Sequence, residues 1–391
     1  MLLPKSEQVP PPRECIKATP IRYREPGPQN LANCFGKIFN PILQKVRFVR
    51  CANAPLPQGL PPREEIIVLV STTSPLKLLL AWRLAKKGGY QVIPYFMDDW
   101  LAKKKLSWPG GGLRQVAAEL LECAPVRLMI SKQLQQVLEA RYNLRPAPTL
   151  VVHNPCPPVI PSGSVESRAN TPNESLQNGP LSRDIPLPAS GPALSFGETD
   201  KTPKQLIYAG SIWPMHADAL IATAKAIHFL NSTNEIRLTL TIYTSNVHWN
   251  KYRSKMEGPG VNWGGWLPYE EVLLQLSKAS MLMCAASFLP SNSHLTKSSV
   301  QTKLTDYLSV GRPILYVGPD FGASGIFVNE NQCGFCINTP QIEDITNALS
   351  KVYMDQVQLE MWAREAKSLA EKKFSKDIVQ KKLFDFLKVK S

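Results

Sequence analysis

Residues 301–319 read QTKLTDYLSVGRPILYVGP. Ser298 or Ser299 can cap a helix expected over Ser299–Val310, which Gly311 would stop. Arg312 and Pro313 then lead into a short apolar run, Pro313–Val317, typical of a buried parallel strand. A helix N-terminus presents free N–H groups and the positive end of its dipole, which suits a phosphate. Thr302 would add a hydroxyl there, and Lys303 a cation. Asp306 lies four residues past Thr302, on nearly the same face, where a carboxylate can accept hydrogen bonds from ribose hydroxyls. The plainer alternative is an ordinary capped helix with a surface Lys–Asp pair.

The same alternation of strand and helix extends in both directions. Upstream, Glu65–Ser71 and Tyr90–Phe96 are apolar runs on either side of a helix that starts with Ser74-Pro75 and stops at Gly88-Gly89. Short connections between buried-type strands favour a parallel crossover. Val126–Ile130 and Thr149–Val152 read as further strands, with a helix over Lys132–Tyr142 between them. Beyond residue 203 come strands at Gln205–Ala209, Arg237–Tyr243 and Met281–Ala285, with helices at Ala217–Leu230 and Tyr269–Ser280. Helices over Gln341–Tyr353, Gln356–Lys373 and Lys376–Leu387 follow the quoted segment. The expected class is α/β with two Rossmann-like domains.

Five segments are expected. Residues 1–63 form a proline-rich basic arm with short helices, and 64–155 the first domain. Residues 156–203 are rich in Pro, Ser, Asn and Gly and bury too little to offset their ordering entropy, so they read as a flexible linker. Residues 204–375 form the second domain and 376–391 a C-terminal helix.

Of the 391 residues, 43% are hydrophobic, which fits a globular protein. The longest aliphatic run, Ile66–Val70, is far short of a membrane span. The first residues lack an apolar signal region, and the eight scattered cysteines read as reduced thiols, so a cytoplasmic location is expected. The net charge of +14 is concentrated in residues 1–150, which carry +12 of it. That asymmetry points the first half toward an anionic partner, unless it serves solubility alone. An anionic membrane surface contacted through residues 76–108, with Lys103, Lys104, Lys105 and Trp108, is one candidate. Nucleic acid is not expected as the partner, because no recognition module or regular basic–aromatic interleaving is present. Cys333 and Cys336 form a lone C-x-x-C, without the second pair that a zinc site would want.

Several stretches in order resemble the GT-B-fold glycosyltransferases, family 4 in particular. Leu206-Ile207-Tyr208-Ala209-Gly210-Ser211 is similar to the strand and glycine turn that open that family's second domain. Gly265-Trp266-Leu267-Pro268 resembles its base-binding turn, and Thr302–Pro313 its most diagnostic helix. Glu330 and Gly334 resemble the Glu and Gly of a following loop, while Asp98-Asp99-Trp100, Ser131-Lys132 and His153-Asn154-Pro155 resemble landmarks of the first domain.

The resemblance implies two Rossmann-like domains facing a cleft, the first of them shortened. It implies transfer of a sugar from a nucleoside-diphosphate sugar to a saccharide or lipid-linked acceptor, with retention, in cell-surface polysaccharide or glycolipid synthesis. The enzyme would need no metal or other cofactor, and could sit peripherally on the cytoplasmic membrane face. Donor contacts would come from Ser211, His216, Trp266, Ser298, Ser299, Thr302, Lys303 and Asp306. Asp306 stands at the second acidic position of the family's E-x7-E pattern, and Ser298 at the first. Ser211 and His216 stand where an Arg and a Lys often grip the diphosphate. Asp98 and Asp99, at a strand end, would position or deprotonate the acceptor. These replacements also motivate a second reading, a non-catalytic GT-B-like protein that binds a nucleotide or glycan.

Overall fold

The computed structural model describes residues 67–70, 75–99, 102, 112–157, 204–233 and 237–390. The expected arm and nearly all of the expected linker lie outside them, as do Trp100, Lys103–Lys105 and Trp108.

The chain divides into two compact units. Among the described residues, the first takes in 67–128 and 138–150, and the second 129–137 and 151–390. The first carries most of a four-stranded sheet, β1 (Ile67–Val70), β2 (Val92–Phe96), β3 (Arg127–Met129) and β4 (Thr149–Val151), paired in sequence order. Helices α1 (Pro75–Lys87), α2 (Gly112–Cys123) and α3 (Lys132–Tyr142) fall between successive strands. β1 and β2 are parallel, as the crossover required. Leu79, Leu120, Leu121 and Leu138 are buried. The guanidinium of Arg127 is buried too, held by the carbonyls of Leu121 and Arg145 at 2.9 and 3.1 Å.

The second unit carries a six-stranded sheet: β5 (Lys204–Ala209), β6 (Leu238–Tyr243), β7 (Val261–Gly265), β8 (Met281–Ala285), β9 (Ile314–Val317) and β10 (Gly334–Ile337). Their order is β10-β9-β8-β5-β6-β7. Ladders on both sides of β5 are parallel, and every residue of β8 and β9 is buried, as expected where helices cover both faces. Helices α4 (Pro214–Thr233), α5 (Asn246–Met256), α6 (Tyr269–Lys278), α7 (Ser293–Ser298), α8 (Lys303–Ser309), α9 (Ala323–Glu330), α10 (Ile342–Met354), α11 (Gln356–Lys372) and α12 (Lys376–Lys390) complete it. The core joins α4 to β5, β6 and β8 through Leu206, Leu220, Ile227, Leu240 and Met283.

After β5 the chain builds outward through β6 and β7, then returns to build outward through β8, β9 and β10. The strand order therefore reverses between β5 and β8. In open α/β sheets the crevice beyond the carboxyl ends of strands at such a reversal is where ligands bind. No helix among the described residues is long and apolar enough to cross a membrane.

Two expectations about the quoted segment are corrected. The helix begins at Lys303, not Ser299, and a separate short helix ends at Ser298. Neither Ser298 nor Ser299 caps α8; the N-cap position is Thr302. The Ser298 hydroxyl donates to the His294 carbonyl one turn back, at 2.7 Å. Between the helices, Gln301 is drawn into the core: its Nε2 donates to the Ala285 carbonyl at 2.7 Å, and its backbone N–H to Ser324 Oγ at 3.0 Å. That anchoring holds Ser299–Gln301 out of helical geometry, a tertiary contact overriding local propensity. Glu330 and Gly334 do not share one loop: Glu330 ends α9 and Gly334 opens β10.

Candidate functional site

Gly210 follows β5 with φ +123°, a backbone conformation that favours glycine. A Cβ there would stand 3.4 Å from Lys303 Nζ, so the turn and the lysine meet at the carboxyl end of β5. The Lys303 ammonium is buried and has no hydrogen-bond partner among the described residues. It lies 3.7 Å from the centre of the Tyr208 ring, a cation–π contact. Burial pushes its pKa down to about 8, against weaker opposing effects of Cys284 and Asp306. The Cys284 thiol, itself pushed up to about 12 by burial, offers no negative charge at neutral pH.

Tyr307, beside Asp306 on α8, ties the helix to both central strands. Its hydroxyl donates to the Met283 carbonyl at 3.0 Å and accepts from the Ala209 N–H at 3.3 Å. Asp306 is half-buried, which raises its pKa, and its Oδ1 accepts a 2.7 Å hydrogen bond from the Tyr269 hydroxyl. Thr302 is exposed, whereas Ser298 and Ser299 are buried.

Ser211 is exposed at the turn after Gly210. His216, expected among the donor contacts, is held by its surroundings. It is buried, and its Nδ1 lies 3.2 Å from both the Tyr208 hydroxyl and the Ser211 carbonyl. Desolvation, with Lys303 nearby, pushes its pKa down to about 3, so it is neutral at physiological pH. His216 thus braces the turn, and Lys303 is the cation that reaches it.

Trp266 is 70% exposed beyond the end of β7. Its neighbour Trp263 is anchored: the ring stacks on Trp249 at 6.1 Å and Nε1 donates to the Thr244 carbonyl at 3.0 Å. The anchored tryptophan fixes the strand that presents the free one. Trp213, in the turn after β5, is also exposed and meets His248 edge-on at 5.0 Å.

In the first unit, Asp98 is exposed and Asp99 buried. Both oxygens of Asp99 are engaged by Arg141, at 2.6 and 2.7 Å, a bidentate ion pair. The pair ties the segment after β2 to α3. On α1, Arg83 pairs with Glu119 at 3.0 Å, and Lys86 pairs with the same carboxylate.

The remaining landmarks lie in the second unit. Ser131 Oγ donates to the Ser298 carbonyl at 2.6 Å and accepts from the Leu134 N–H at 2.9 Å. His153 packs edge-on against Phe327 and Phe374 at 5.3 and 5.5 Å, and burial pushes its pKa down to about 4. Cys333 and Cys336 are thiols pushed up to about 12 by burial.

The structure therefore brings Lys303 against Gly210, whose turn continues through Ser211 to His216, and carries Asp306 on the same short helix as Lys303. Sequence reasoning missed Tyr269, although the residue directly follows the turn Gly265–Pro268. It also missed Tyr208, the ring under Lys303.

No family model matches this sequence, and no curated protein matches it significantly. Solved structures do. Sucrose-phosphate synthase from Thermosynechococcus elongatus is 12% identical at a TM-score of 0.58, over 91% of this chain and 80% of that one. HepE of Anabaena, in complex with UDP, is 10% identical at 0.57, over 89% and 82%. A glycosyltransferase from Rickettsia africae is 9% identical at 0.55, over 93% and 84%. At these identities the likeness speaks for architecture, and it agrees with the strand order and the reversal at β5: this chain has the GT-B fold of the glycosyltransferases.

Proposed function

We propose that this protein is a glycosyltransferase whose second unit binds a nucleoside-diphosphate sugar. The observation that carries the reading is the unpartnered Lys303 ammonium beside the Gly210 turn, at the strand-order reversal. A buried ammonium without a hydrogen-bond partner is costly, and a diphosphate is the kind of anion that would complete the site. Lys303 then meets the charge that develops on the leaving diphosphate as the bond to the sugar breaks. Thr302 and Ser211 supply hydroxyls, Asp306 accepts from the ribose, and Trp266 stacks on the base. The HepE structures hold UDP, UDP and glucose, or UDP-glucose, which makes UDP the first probe to try. The acceptor is a saccharide or lipid-linked saccharide, the anomeric configuration is retained, and no metal takes part. The products belong to polysaccharide or glycolipid synthesis on the cytoplasmic membrane face.

A second reading has its own observations. Arg141 engages both oxygens of Asp99, His216 is neutral and buried, and Ser298 stands at the first position of the acidic pattern. These favour a nucleotide-binding protein without turnover. Thermal shift with UDP, GDP, ADP and dTDP tests the shared part. A ligand at 100 times its Kd stabilises by about 2.7 kcal/mol. Stabilisation by one nucleotide, lost in Asp306→Ala, supports the donor site; no response to any sinks both readings. Release of nucleoside diphosphate from the matching sugar nucleotide then separates enzyme from binder.

A further inference from the structure

The side chain of Asp306 is one methylene shorter than the glutamate it replaces in the pattern, so its reach and orientation matter more. Left alone, a half-exposed carboxylate swings between rotamers. Here it does not stand alone. Tyr269 opens α6, immediately after the turn that presents Trp266, and its hydroxyl donates to Asp306 Oδ1 at 2.7 Å. One hydrogen bond thus links the turn at 265–268 to the first turn of α8. A bond from a neutral donor to a carboxylate is among the stronger single hydrogen bonds. It engages Oδ1 and leaves Oδ2 without a protein donor among the described residues. Tyr269 is 50% exposed and Asp306 half-buried, so the pair borders solvent where a ligand can arrive.

We infer that Tyr269 is a positioning residue: by holding Asp306 Oδ1 it aims Oδ2 at a ribose hydroxyl and sets the selectivity of the site for ribonucleotides over deoxyribonucleotides. This rests on the donor-site reading above. Asp306 makes the contact; Tyr269 acts through it and also couples ribose recognition to the turn that carries Trp266.

The test is isothermal calorimetry on the full chain. The tightest of UDP, GDP and ADP is compared with its 2′-deoxy and 3′-deoxy analogues, in the wild type, Tyr269→Phe and Asp306→Ala. The wild type should lose about tenfold in affinity for at least one deoxy analogue, and Asp306→Ala should lose that discrimination. Tyr269→Phe removes one hydroxyl at the solvent border, so the ligand-free protein should still melt cooperatively, with its Tm within about 5 °C of the wild type. Its discrimination should nevertheless fall below about threefold. A Tyr269→Phe protein that keeps the wild-type ratio overturns the inference and leaves the donor site standing. So does a wild type indifferent to both hydroxyls. A wild type that binds none of the three ribonucleotides overturns the inference and the donor-site reading together.

Discussion

The Lys303 ammonium sits 3.7 Å from the centre of the Tyr208 ring, buried and without a hydrogen-bond partner among the described residues. A ring face offsets only part of the lost hydration. The lysine is therefore a strained residue in the ligand-free protein and a ready one for an anion.

Lys303→Met should raise the stability of the ligand-free protein while removing its response to nucleoside diphosphates. The fall in pKa from 10.5 to about 8 corresponds to a cost on the order of 3 kcal/mol. The folded-state pKa lies below the unfolded one, so that cost is fully present below pH 8. It fades as pH rises toward 10.5, where both states are neutral. Differential scanning calorimetry at pH 7, with and without UDP, checks both halves. A variant that is less stable and still binds would remove Lys303 from the site.

The same group sets a pH profile for binding. If the lysine holds the diphosphate as a cation, affinity should fall by only about twofold between pH 7 and 8. It should fall above pH 8, approaching about tenfold per pH unit, as the free site loses its proton. Calorimetric titrations from pH 7 to 9.5 would show it, and Lys303→Arg should flatten the curve.

Acid should destabilise the second unit through two histidines. His153 and His216 have folded pKa values of about 4 and about 3, below the ordinary 6.5. Both are neutral when folded but take a proton when unfolded. Their contribution is full above pH 6.5 and is lost as pH falls from there toward 3. Melting temperatures between pH 7 and 4 should drop steeply. His153→Phe, between Phe327 and Phe374, should make the drop shallower.

Asp99 and Asp98 should separate by readout. Asp99→Ala leaves the partly exposed Arg141 without its bidentate partner and should cost about 1–3 kcal/mol of first-unit stability. Asp98→Ala, at an exposed position, should cost less stability than Asp99→Ala. If Asp98 serves the acceptor, the same change lowers turnover without altering nucleotide affinity.

Trp266→Ala should weaken nucleotide binding by about 1–3 kcal/mol, the range found when a base loses an aromatic stacking partner. Its 70% exposure means that little folding stability is at stake. Equal losses for a nucleoside diphosphate and for pyrophosphate would argue against stacking.

Much of the architecture was legible because buried parallel strands write themselves as short apolar runs. Met281–Ala285 occupies the residues its pattern implied, and Lys132–Tyr142 is a helix over its expected span. Gly311, at φ +63°, stops α8 as its position suggested. What escaped was weakly patterned or decided by tertiary contacts. The helix Asn246–Met256 buries chiefly Trp249 and Met256, so it shows little periodicity. The strand Val261–Gly265 contains two glycines and presents exposed residues, so it reads as a turn. The late start of α8 depends on Gln301 reaching the Ala285 carbonyl, a contact no local pattern encodes. That Lys303 and Asp306 share one helix was readable from the sequence. The neutrality of His216 was not, because it comes from burial beside Lys303.

The placement of β5 has a consequence for how the second unit is made. Among the described residues it is the first strand of its sheet to be synthesised, and it lies inside the sheet, not at an edge. β6 and then β7 add on one flank; β8, β9 and β10 add in turn on the other. Every new strand meets an open edge, and none must be threaded between two already joined. The sheet can therefore assemble in the order of translation as the chain leaves the ribosome, with each half-formed sheet a correct substructure of the final one.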